Sequence, residues 1–95
     1  MLPSNRQMRH VAEVTTTGTP IKVLDAESAR TALIVQETGG TNSIRFGDSK
    51  VDATYGIFVA AGGTVILEGF ACPTGDIYVD SDAGAGVVQV TEIVG

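Results

Sequence analysis

Tryptophan is absent from this chain, cysteine and histidine occur once each, and no basic residue follows Lys50. Each shortage closes off a class of answer. Cys72 alone cannot form an internal disulfide, and one His with one Cys cannot build a four-ligand zinc site. No apolar run approaches the ~20 residues of a membrane-spanning helix, and segment 1–14 lacks the apolar stretch of a signal peptide. The expectation is a soluble chain made in a reducing compartment, with no membrane partner. Residues 1–50 hold six basic and five acidic groups, a balance of +1, whereas residues 51–95 hold six acids and no base, a balance of −6. So acidic a surface repels a phosphate backbone, which argues against nucleic acid as a partner of the folded body. Ninety-five residues allow one domain, which by surface scaling buries about 64% of its unfolded area. That is marginal, and with disulfide and metal excluded the remaining support is oligomerisation.

What is present sets the class. Twelve glycines separate runs rich in Val, Ile and Thr, the pattern of short strands joined by turns. The runs are 10–15, 21–24, 32–37, 43–46, 57–59, 64–68, 77–80 and 87–93. The predicted fold is all-β: one small antiparallel β-sandwich or β-barrel of about eight short strands with an extended N-terminal arm. Segment 25–30 is read as a loop with room for one helical turn, Asp25 being its N-cap. Side chains alternate across a strand, so Leu33, Val35, Ile44, Phe46, Val65, Leu67, Ile77, Val79, Val88 and Val90 form the predicted core. By the same rule Asp76 and Asp80 turn to water. Ile34, Ile66, Val87 and Ile93 fall on the opposite faces, where an isolated molecule favours polar groups.

Residues 1–10 show no sustained period and are read as an arm preceding a domain of residues 11–95. They contain Arg6, Arg9 and His10, with no acid before Glu13, and the apolar Leu2 and Met8. Such an arm either frays, as chain ends do, or orders on a neighbouring subunit with its basic groups against the acidic half. In the second reading Leu2, Arg6, Met8, Arg9, Ile34 and Ile66 are the partner-binding residues.

Catalytic chemistry finds little footing. Asp80 with Asp82, and Asp48 with Asp52, are paired carboxylates, but general acid–base work needs one of a pair buried with a raised pKa, and both pairs lie in Gly-rich loops where burial is not expected. Segment 80–84 has a loose likeness to a calcium loop but lacks the terminal bidentate Glu and the flanking helices. Cys72, followed by Pro73, has no base near it in sequence to make a thiolate. His10 beside a free arm reads as solvated. Gly62-Gly63 and Gly84-Ala85-Gly86 lack the helix and Lys of a phosphate loop. No catalytic residue, metal or cofactor is expected. Tyr55 and Tyr78, near Asp residues, are the right types for a carbohydrate site.

Ala32-Leu33-Ile34-Val35-Gln36, then Asn42-Ser43-Ile44-Arg45-Phe46-Gly47-Asp48, then Tyr55-Gly56-Ile57-Phe58-Val59-Ala60-Ala61-Gly62-Gly63-Thr64 follow one another in order. Gly75-Asp76-Ile77-Tyr78-Val79 and Val88-Gln89-Val90-Thr91-Glu92-Ile93 complete the series. This succession, over about two thirds of the chain, resembles small structural proteins of tailed bacteriophages, several of them head decoration (cement) or minor virion proteins. The resemblance implies a non-enzymatic antiparallel β-domain repeated on a virion. Its partners would be the major capsid protein and copies of itself, most simply in a homotrimer, with the chain made in the host bacterial cytoplasm and carried on the capsid surface. Related modules occur in tails and fibres, so the alternative is a carbohydrate- or host-surface-binding module using Tyr55 and Tyr78. A small hydrolase is the third and weakest possibility.

Overall fold

A computed structural model describes residues 6–81 and 84–95 of the chain. Its nine strands are β1 (Gln7–His10), β2 (Val14–Thr15), β3 (Ile21–Leu24), β4 (Arg30–Glu37), β5 (Ile44–Gly47), β6 (Ile57–Val59), β7 (Thr64–Glu68), β8 (Ile77–Ser81) and β9 (Val87–Val94). Two antiparallel sheets pack face to face as a β-sandwich. One runs β1-β9-β4-β7 with β2 also on β9, and the other runs β3-β8-β5-β6. The central pair, β4 and β9, is the longest, and both strands alternate with few breaks, so one face of each is committed to the core.

The inward rows meet between the sheets. Leu33, Val35, Val88 and Val90 from the first sheet pack against Ile44, Phe46, Ile77 and Val79 from the second, with Leu24, Val59 and Cys72 completing the buried cluster. Each such side chain contributes about 1.5–3 kcal/mol by leaving water. Val65 and Leu67 pack on this cluster but stay half-exposed, because β7 ends its sheet and has a neighbour on one side only.

Of the first predicted strand, 10–15, only Val14–Thr15 forms a separate strand, β2, while His10 ends β1, which begins within the predicted arm at Gln7. Gln7 to His10 pair with Val94 to Thr91 of β9. Backbone pairing needs no apolar alternation, and all four β1 residues are exposed, so nothing in their side-chain pattern announces the strand. In segment 25–30 a single turn forms, closed by Arg30 N–H donating to Glu27 O at 3.1 Å. Asp25 does not cap it: its carboxylate lies 2.8 Å from Lys22 Nζ. A 3₁₀ turn at Gly69–Ala71 falls in a stretch that reads as loop.

Two buried charges tie loops to this frame. The Glu37 carboxylate, at the end of β4, accepts N–H bonds from Gly39 (3.1 Å), Gly40 (2.8 Å), Gly62 (2.9 Å) and Val87 (2.9 Å). At the other end Arg30 Nε donates to Glu92 Oε1 at 2.8 Å, while its two Nη groups donate to the carbonyls of Pro73, Gly75 and Asp25. Every polar atom of both groups has a partner, which is the condition for keeping a charge out of water.

Candidate functional site

Directly opposed residues in a sheet share a face, so register alone assembles the outer surface of the first sheet. Met8 stands opposite Ile93, and Ile93 opposite Ala32. In the next row His10 stands opposite Thr91, Thr91 opposite Ile34, and Ile34 opposite Ile66. The result is an apolar band across four strands. Met8 is 60% and Ile66 57% exposed, while Ile34 and Ile93 are half-buried between them. The structure thus places Met8, Ile34 and Ile66 on one face of the first sheet, Ile34 against Ile66 and Met8 at the opposite edge next to Ile93.

The other anticipated contact residues lie elsewhere. Arg6 is exposed immediately before β1. Arg9 points to the opposite face of β1, where Nη1 is 3.3 Å from Glu27 Oε2 and 3.9 Å from Glu92 Oε2. Leu2 lies outside the described residues. Val87, also on the outer side of its strand, is half-buried against the loop holding Gly39.

Ile57, Phe58 and Phe70 add to the exposed apolar surface and were not read as such from sequence. With Ile66 they place four large exposed apolar side chains in the 57–70 segment, along β6, β7 and the 3₁₀ turn. The signal was available: from 53 to 75 the only charged residue is Glu68. Phe58 is partly covered by Arg45, whose guanidinium carbon sits 5.3 Å from the ring centre, a cation–π distance.

Asp80 is a correction. It is only 3% exposed because β8 continues through Ser81, setting Asp80 opposite Arg45 of β5 on the outer side of the second sheet. The loop after β5 then folds over that side, held by Arg45 Nε donating to Ala53 O (3.2 Å) and Arg45 Nη1 donating to Gly56 O (3.2 Å). Asp82 lies outside the described residues.

Beside Asp80 opens a cleft of about 570 Å³ lined by Thr16, Asp52, Thr54, Asp80 and Ser81, among others. Its carboxylates already serve the backbone. Asp52 Oδ1 accepts N–H bonds from Thr54 and Tyr55, each 2.7 Å, and these two bonds hold its pKa below the usual value. A carboxylate so held stays ionised, the reverse of what a general acid requires. Asp80 Oδ1 accepts from Ser81 N–H at 2.8 Å. Among the described residues no group of three His, Cys, Asp or Glu side chains is placed to hold a metal ion.

A smaller hollow of about 220 Å³ is lined by Gly47, Asp48, Lys50, Val51, Tyr55 and Gly56. Tyr55 is well exposed, whereas Tyr78 is half-buried in β8 opposite Lys22 and Gly47. Cys72 is buried in the core, and burial pushes its thiol pKa up. His10 Nδ1 is 2.9 Å from Thr91 Oγ1. Comparison of the chain with protein-family models, with curated proteins and with solved structures yields no match.

Proposed function

We propose that this chain is a non-enzymatic structural protein of a tailed-bacteriophage virion: a capsid decoration (cement) protein, assembled with copies of itself as a homotrimer, that binds the major capsid protein and stabilises the head. The observation that carries the binding role is the apolar band of Met8, Ile93, Ile34 and Ile66 across the first sheet. A soluble monomer seldom leaves such a band in water. The resemblance to phage structural proteins supplies the kind of partner. Many identical sites on a shell multiply a modest contact into stable attachment, so a small body without reactive machinery suits the task.

The test is occupancy on shells stripped of decoration protein. The variant Ile34→Asp with Ile66→Asp should keep its fold, since neither side chain enters the core, and lose about tenfold or more in occupancy, as expected for central interface residues. Undiminished occupancy by that variant would count against the band as the binding surface. A second reading, a carbohydrate-binding module on a tail or fibre, draws on one observation: the exposed Tyr55 ring beside Asp48 and Lys50 in the smaller hollow. Saccharide binding that disappears in Tyr55→Ala would favour it.

A further inference from the structure

The first sheet ends at β1 on one side and β7 on the other, and among the described residues no strand pairs with their outer edges. Which backbone groups face outward follows from the hydrogen bonds inside. Val11 N–H donates to Val90 O, one step beyond the β1–β9 register. Arg9 and Gln7 therefore bond to β9, while Met8 and His10 turn their N–H and C=O groups away from it, and the same alternation carried one residue back from β1 turns those of Arg6 outward. Glu37 N–H donates to Gly63 O, one step beyond the β4–β7 register. Leu67 and Val65 therefore bond to β4, and Thr64, Ile66 and Glu68 face outward.

Antiparallel addition requires outward-facing residues to oppose one another, because only they can exchange both hydrogen bonds. The residues with outward backbone groups are also those whose side chains lie on the outer face: Met8 and His10 on one edge, with Arg6 following by alternation, and Glu68, Ile66 and Thr64 on the other. Aligning Met8 with Ile66 sets Arg6 opposite Glu68 and His10 opposite Thr64. One register thus joins the two most exposed aliphatic side chains of the face and a cation to an anion. Shifting it by two residues sets Met8 against Glu68 and loses the charge pair. Shifting by one mismatches both donors and faces. β7 against a second β7 would leave Glu68 opposite Thr64 and Arg6 unused. β7 also lacks the Lys, Pro or bulge that commonly blocks an edge.

We propose that β1 of one copy adds antiparallel to β7 of the next, with Met8 opposite the next copy's Ile66 and Arg6 opposite its Glu68. Copies then assemble head to tail and their first sheets join into one. Such a contact uses two different surfaces and so closes into a ring where the rotation permits, which is how a homotrimer would form. It rests on the reading of this chain as a repeated structural unit and states how the copies join.

Charge reversal and cross-linking test it together. Arg6→Glu and Glu68→Arg each should weaken self-association, read by sedimentation, about tenfold, and the double variant should recover most of the loss. Both residues are exposed, and circular dichroism verifies the fold. Opposed outward residues bring Cα atoms to about 5.5 Å, within the span of a disulfide. A mixture of Met8→Cys and Ile66→Cys chains should therefore form a mixed disulfide dimer under mild oxidation, with neither chain alone linking faster than the natural one. Self-linking of Ile66→Cys at the rate of the mixture would overturn the proposal in favour of β7–β7 pairing. Failure of the double reversal to restore association would also overturn it. A chain that remains monomeric yet occupies shells normally would overturn this contact while leaving the decoration role standing.

Discussion

Arg30 and Glu92 form an ion pair with Nε 2.8 Å from Oε1 and the arginine side chain wholly covered. They lie 62 positions apart, and the rest of the guanidinium fork holds the carbonyls of Asp25, Pro73 and Gly75. Removing one partner of a buried pair leaves an uncompensated charge. Arg30→Met should therefore lower unfolding free energy by about 3–5 kcal/mol, measured by urea denaturation. The double variant Arg30→Met with Glu92→Leu should lose less than the sum of the two single losses, because no charge is then stranded.

Glu37 predicts a pH dependence. Burial pushes its carboxyl pKa up, but N–H bonds from Gly62, Val87, Gly40 and Gly39 together outweigh that effect and hold it below the ordinary 4.5. A carboxyl whose folded pKa is depressed contributes stability that is present above its unfolded pKa and is lost as pH falls through the folded one. Denaturant midpoints measured downward from pH 5 should thus fall. Glu37→Gln, which cannot ionise and turns an N–H₂ toward donors, should cost about 1–3 kcal/mol for each donor it strands near neutral pH and flatten the acid slope.

Thr16 and Gly86 lock β2 to the approach of β9. Gly86 N–H donates to Thr16 Oγ1 at 2.7 Å, and Thr16 N–H donates to Gly86 O at 2.9 Å. A Cβ at residue 86 would run into Ile44 Cγ2 in the core. Gly86→Ala should cost about 1–3 kcal/mol from overpacking, and Thr16→Val a similar amount by orphaning a buried N–H. Thermal unfolding of each checks this.

Cys72 should react slowly. Its thiol is buried, which raises its pKa and keeps it protonated. Alkylation of the native chain at mildly alkaline pH should proceed far more slowly than in urea, at a rate set by opening of the fold. Equal rates in the two states would contradict the burial.

Phe70 has its whole side chain in water. Phe70→Ser should change stability by less than about 0.5 kcal/mol, by urea denaturation.

Alternation made the core legible. Leu33 and Val35, Ile44 and Phe46, Ile77 and Val79, and Val88 and Val90 are all buried, because in each strand the apolar residues recur at the two-residue period that sends them to one side. Asp80 broke the rule: polarity predicts exposure only where nothing packs beside the residue, and here Arg45 stands opposite it, itself bonded to the loop after β5. Within the candidate site, Ile34 and Ile66 stood out as apolar residues on the wrong faces of their strands. Their direct opposition, and the addition of Met8 through β1, depended on register, which no local pattern specifies. Ile57, Phe58 and Phe70 were legible in the nearly chargeless 53–75 stretch but not as surface, since low charge fits a buried segment equally well.

Composition and periodicity, taken by themselves, determined that this chain is all-β, where most of its strands lie and which residues fill its interior, because those properties follow from short-range geometry along the backbone. Only the folded arrangement decided how the ends of the chain pair, which charges could be buried and which apolar residues remain outside. Those outcomes depend on residues dozens of positions apart arriving side by side. The Arg30 fork, the four amides around Glu37 and the band from Met8 to Ile66 exist only once strands distant in sequence have paired.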